Sequence, residues 1–157
     1  MGDTAAMEQS EHKPGHLRIS FLLMGIIGLH FLWNGSAYIS QMYHLSAYVT
    51  PQQVDIIALR YNYLAQAIGI LAYSLMLWRF PRFASRRSVY IGAIALGVGS
   101  ICVMLLGDSA WLITAGGIVM NLLFGLSSAY QFTLLCAVPQ NGRARTFAYA
   151  YAFGTAG

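Results

Sequence analysis

Six polar side chains, His30, Asn34, Gln41, Gln66, Asn121 and Gln131, stand in stretches of sequence that are otherwise apolar. His30, Asn34 and Gln41 recur at helical spacing with Tyr38 on the same face, and Asn62, Gln66 and Tyr73 do so further along, with Gly69 between them. Asn121, Gly125 and Ser128 share one face of a later stretch, with Ser127 and Gln131 on a neighbouring one. Amide and imidazole groups both donate and accept, so the chemistry open to this set is hydrogen bonding, either between helices or to a solute held in a cavity. Polar groups at membrane depth usually face a bundle interior or an aqueous space, and His30, Asn34 and Gln66 are the strongest cavity candidates. An unperturbed histidine titrates near physiological pH, which also makes His30 the candidate for proton coupling.

Covalent, redox and metal chemistry find no support. Cys102 and Cys136 are single, with no C-x-x-C pair for thiol exchange and too few companions for zinc, so both read as small packing residues. The other histidines, His12, His16 and His44, lie outside the remaining apolar stretches, whereas a haem would need axial ligands on facing helices. No nucleophile with a base partner, glycine-rich phosphate loop or carboxylate pair lies in the apolar stretches. The sequence reads as a non-enzyme with no metal site and no cofactor.

The elements that hold these residues follow from charge. Of 157 residues, 57% are hydrophobic and only 9% charged, far below the roughly one quarter of a soluble domain. So little charge cannot cover a water-soluble surface, and so much hydrophobicity excludes disorder. The charges cluster and leave five charge-free stretches: Ile19 to Val54, Tyr61 to Trp78, Ser88 to Gly107, Ser109 to Gly142 and Thr146 to Gly157. Backbone groups must pair internally in lipid, and runs such as IGAIALGVGSICVMLLG do not alternate as barrel strands do, so the stretches read as helices. The expected fold is an all-α, polytopic helical membrane protein with four transmembrane helices plus the start of a fifth. A flexible cytoplasmic tail over 1–18 precedes a bundle over 19–157, with spans near 19–43, 56–78, 89–107, 111–138 and an incomplete 146–157. Twelve residues of helix rise only about 18 Å against a hydrocarbon core of about 30 Å, so the chain is expected to be a fragment of something longer, the alternative being a short interfacial or re-entrant helix packed on the other four.

Basic residues set the direction. Lys13 and Arg18 precede the first span, Arg79, Arg82, Arg86 and Arg87 lie between the second and third, and Arg143 and Arg145 lie between the fourth and fifth. The opposite ends carry Asp55, Arg60 and Asp108. Cytoplasmic loops are rich in Lys and Arg, so the amino terminus is expected in the cytoplasm of a multi-pass protein of the cell (inner or plasma) membrane. The pI near 9.3 is accounted for by this topology, so no nucleic-acid partner is expected through this segment.

The cytoplasmic amino terminus, the basic loop LWRFPRFASRRSVYIG and the segment VPQNGRARTFAYAYAFGTAG together resemble the amino-terminal half of a major facilitator superfamily transporter. The resemblance implies that spans one and four line a central path while span three is peripheral, in agreement with polar spans one and four beside an apolar span three. It also implies a cytoplasmic gating role for the loop residues Arg86, Arg87, Arg143 and Arg145. Trp78, Arg82 and Ser85 stand where that family's loop has Gly, Asp and Gly, so gating through the Asp is not carried over.

The function expected is secondary-active transport of a small solute, by part of a transporter whose partners are the lipid bilayer, a small-molecule substrate, and a missing carboxy-terminal half or a second copy. With no acid or base deep in spans one to four, a neutral or amphiphilic substrate is expected over a strongly charged one. The alternative is a membrane sensor or anchor module of a regulator that carries a soluble signalling or DNA-binding domain beyond residue 157. The altered loop motivates it, because a sensor needs no gating charges.

Overall fold

The computed structural model of the protein describes residues 14–136 and 138–156, and their regular structure is entirely helical. Residues 1–13 of the expected tail lie outside the described residues, and from Pro14 the chain is already helical. We label the elements α1 (Pro14–Leu45), α2 (Pro51–Ile56), a π-helical segment (Ile57–Asn62), α3 (Tyr63–Arg79), α4 (Pro81–Ala84), α5 (Arg87–Leu106), α6 (Ala110–Leu135) and α7 (Gln140–Thr155).

Each boundary has a local cause. α2 opens on a capping box: the Thr50 side chain accepts from the Gln53 backbone, the Gln53 side chain accepts from the Thr50 backbone, and Pro51 occupies the first turn. The helix therefore begins before residue 56, where the apolar pattern alone placed the second span. Ser109 caps α6 by accepting from the Leu112 backbone N–H. α6 stops at Leu135 rather than at 138, as Pro139 nears and disfavours helix in the residue before it. α7 starts at Gln140, ahead of the expected Thr146, so Arg143 and Arg145 sit within its first turns rather than in a loop.

Among the described residues, three helices are long and apolar enough to cross a membrane: Arg18–Leu45 of α1, α5 and α6. The second expected span is instead divided. α2, the π-helical segment and α3 follow one another without a break from Pro51 to Arg79, and α3 alone has 17 residues. Large apolar side chains point outward over these helices, among them Phe21, Leu29, Leu71, Ile91, Leu96 and Leu106, which is the surface of a protein solvated by lipid.

Two glycine crossings let the backbones approach. A methyl group on Gly69 would meet the Leu122 carbonyl and one on Gly125 the Gln66 carbonyl, so α3 and α6 touch reciprocally. Gly28 and Gly154 do the same for α1 and α7, through the Ala150 and Gly28 carbonyls. Gly25 and Gly99, which share the small-residue pattern, have open space around them. At one end of the bundle Leu23, Ile27, Leu135, Val138 and Ala150 form an apolar cluster, and Leu45, Val54, Met104 and Ile113 form another at the opposite end. The buried polar residues of α1 and α6 lie between these two clusters.

Candidate functional site

Asn34, Gly35 and Tyr38 from α1, Asn62 from the π-helical segment, Tyr63 and Gln66 from α3, and Asn121 from α6 surround a cavity of about 150 Å³. Asn34 lies in the later half of α1, Asn62 and Tyr63 in the first half of the Pro51–Arg79 stretch with Gln66 just past its middle, and Asn121 just before the middle of α6. The cavity is thus displaced from the middle of the bundle toward the end carrying Asp55, Arg60 and Asp108. Among the described residues its lining is amide and phenol with Gly35, and includes no carboxylate and no basic side chain.

One chain of hydrogen bonds fixes how the wall is presented. The Ile113 carbonyl can only accept, so the Gln41 amide turns its Nε2 toward it, at 3.4 Å, and its Oε1 away. Asn62 Nδ2 donates to that Oε1 at 2.6 Å. Asn62 is 1% exposed, and its Oδ1 has no hydrogen-bond partner among the described residues. Asn34 Oδ1 is buried and unpartnered in the same sense. Native structures pair nearly all buried polar atoms, so two orphaned acceptors in residues beside one cavity are a departure from the usual pattern. Asn121 is different, since its Nδ2 donates to the Gly117 carbonyl at 2.9 Å within its own helix.

The six residues expected from the sequence separate into three groups. Asn34, Gln66 and Asn121 line the cavity. Gln41 stands behind the wall, against Gly117, holding Asn62. His30 and Gln131 are not among the lining residues. His30 lies one turn from Asn34, stacks on Phe124 with ring centroids 4.2 Å apart, and meets Ser128 Oγ at 3.0 Å and Ser127 Oγ at 3.4 Å. The Trp33 indole, a donor only, gives its N–H to His30 Nδ1 at 3.4 Å, so Nε2 carries the ring hydrogen and faces the serines. Trp33 itself, mid-helix, packs toward Gly97 of α5. Gln131 donates to the Tyr90 hydroxyl at 2.7 Å, inside a cluster where Tyr90 stacks on Tyr130 and Tyr73 meets Tyr130 edge-on.

Asn62, Tyr38 and Tyr63 belong to the wall but not to the six. Asn62 was marked by its place four residues before Gln66 on one helical face, and Tyr38 by sharing the face of Asn34. Of the arginines, Arg86 caps α5 by position and Arg87 begins it, both exposed. Arg143 donates from Nε to the Val138 carbonyl at 2.8 Å and from Nη2 to the Cys136 carbonyl at 2.9 Å, closing the chain where α6 ends. Arg145 is exposed. Among the described residues no group of three or more His, Cys, Asp or Glu side chains could hold a metal ion. Cys102 and Cys136 are free and exposed.

No family model matches this chain, and no curated protein or solved structure matches it.

Proposed function

We propose that this bundle is the solute-binding part of a secondary transporter built like the amino-terminal half of a major facilitator superfamily member. In this reading the divided helix from Pro51 to Arg79 is the second of four spans, α7 is the start of a fifth, and the arginine-bearing ends face the cytoplasm of a cell membrane. The cavity then opens toward the outer side, and a second half of the transporter would rock against this one around it.

One observation carries the reading: amide and phenol side chains from four elements, Asn34, Tyr38, Asn62, Tyr63, Gln66 and Asn121, surround one cavity inside an otherwise apolar bundle. Interhelical bonding accounts for His30, Gln41 and Gln131, each of which meets a group on another helix. It leaves the cavity itself unexplained. A polar space that receives a solute accounts for it, and for a wall that comes from α1, the π-helical segment, α3 and α6 while the apolar α5 contributes nothing to it.

The test is aqueous access. In a background with Cys102 and Cys136 replaced by Ala, thiols introduced as Asn34→Cys and Gln66→Cys are expected to react with a membrane-impermeant reagent applied to the face opposite the arginines. Thiols at both positions silent from either face would mean a dry, purely structural polar layer and would end the transport reading.

A further inference from the structure

Independently of the transport reading, we infer that the turn from Trp78 to Arg87, at the arginine-bearing end of the bundle, is a docking surface for acidic phospholipids, whose headgroup phosphates Arg79, Arg82, Arg86 and Arg87 receive.

Placement and charge come first. α5, which is long and apolar enough to cross a membrane, begins at Arg87, so the turn before it stands where hydrocarbon gives way to headgroups. All four arginines are exposed, and the acidic residues among those described, Asp55 and Asp108, lie at the opposite end. The positive charge here therefore meets no carboxylate among the described residues, and a headgroup phosphate complements it. Trp78, Phe80 and Phe83 are exposed on the same turn, Trp78 at 81%. Aromatic rings settle between headgroups and acyl chains, which commits the surface to a lipid rather than to a free phosphate.

The turn is also held in shape. Ala84, its one buried residue, is set among Tyr73, Ala129 and Tyr130, and the Tyr73 hydroxyl donates to the Ala84 carbonyl at 3.5 Å. The Ala84 N–H donates to the Phe80 carbonyl and the Arg86 N–H to the Phe83 carbonyl, each at 3.0 Å. With Ala84 pinned inward the arginines are left outside, Arg79 with its guanidinium 5.3 Å from the centroid of the Phe80 ring. Membrane topology asks only for positive charge on this side, and lysine serves that as well as arginine. All four residues are arginine, whose planar fork pairs with two phosphate oxygens at once.

The experiment reads quenching of Trp78 by brominated lipid in the full chain, with Trp33 and Trp111 replaced by Phe so that Trp78 reports alone. Phosphatidylcholine nanodiscs hold a minor fraction of either brominated phosphatidylglycerol or brominated phosphatidylcholine, the same in both leaflets, so that the direction of insertion does not matter. Brominated phosphatidylglycerol is expected to quench at a several-fold lower mole fraction. Arg82→Gln should lower that preference by up to about fivefold, the worth of one basic residue beside an acidic membrane surface. Gln at all four arginine positions should abolish it, and Lys at all four, which keeps every charge, should lower it part of the way. Equal quenching by the two lipids, or a preference that survives the four Gln changes, would overturn the inference. An undiminished preference with four Lys would overturn the guanidinium–phosphate pairing. Inorganic phosphate added at constant ionic strength should leave the quenching as it was, and release of the lipid by it would overturn lipid as the occupant.

Discussion

Asn62 donates from its side-chain amide to Gln41 Oε1, at 2.6 Å, while its own Oδ1 is buried with no partner among the described residues. The pair joins the π-helical segment to α1, and Gln41 carries the connection on to the Ile113 carbonyl of α6. Three elements that could each slide in lipid are thereby set in one register at the wall.

The first expectation separates stability from binding. Gln41→Leu strands Asn62 Nδ2 inside the bundle, whereas the Ile113 carbonyl keeps its place in the α6 backbone ladder, and an unpaired buried group costs about 1 to 3 kcal/mol. Asn34→Leu removes an oxygen that has no partner among the described residues, so it should leave stability unchanged or raised. Unfolding of the purified chain in mixed detergent micelles measures both, and equal destabilisation by the two variants would contradict the assignment.

The glycine crossings give a second expectation. Gly69→Ala and Gly125→Ala drive a methyl group into opposing backbone and should each cost about 1 to 3 kcal/mol, the usual penalty of overpacking. Gly25→Ala and Gly99→Ala meet nothing and should be neutral or stabilising by up to about 1 kcal/mol, since Ala is the better helix former. Thermal unfolding of the four variants checks the contrast.

His30 is expected to behave as a fastening between α1 and α6 rather than as a wall residue. His30→Phe keeps the stack on Phe124 but strands the Trp33 indole N–H and loses the serine contacts, for about 1 to 3 kcal/mol. Solute binding to His30→Gln should keep the pH profile of the unaltered chain, because His30 does not line the cavity. A profile that flattens in His30→Gln would restore the proton-coupling role expected from the sequence.

Arg143 and Arg145 should differ sharply although the sequence treats them alike. Arg143→Ala removes two bonds to the Val138 and Cys136 carbonyls and should speed amide hydrogen exchange where α6 ends and α7 begins. Arg145→Ala should leave that exchange as it was.

Charge and hydropathy made much of this legible. The charge-free stretches locate α1, α5 and α6 closely, because a helix in lipid must be both long and uncharged. Asn34, Gln66 and Asn121 were readable as wall residues because an amide inside such a stretch has few other places to point. Asn62 was harder to rank: it follows Arg60 and Tyr61, where the charge pattern reads as the outer end of a span, and no regular 3.6-residue period anticipates a π-helical turn. The capping box at Thr50 was present in the sequence and would have moved the start of that helix to Pro51. His30 and Gln131 share apparent faces with wall residues, yet they lie at other heights and meet Ser128 and Tyr90. Periodicity gives a side chain's direction around its helix. What meets it there depends on the helix opposite.

The most direct measurement is solid-state NMR of magnetisation transfer from water to the side-chain amides of the full chain, in lipid. The account expects transfer to Gln66, which lines the cavity, and little to Gln131, which is bonded to Tyr90 away from it. Negligible transfer to both would contradict it.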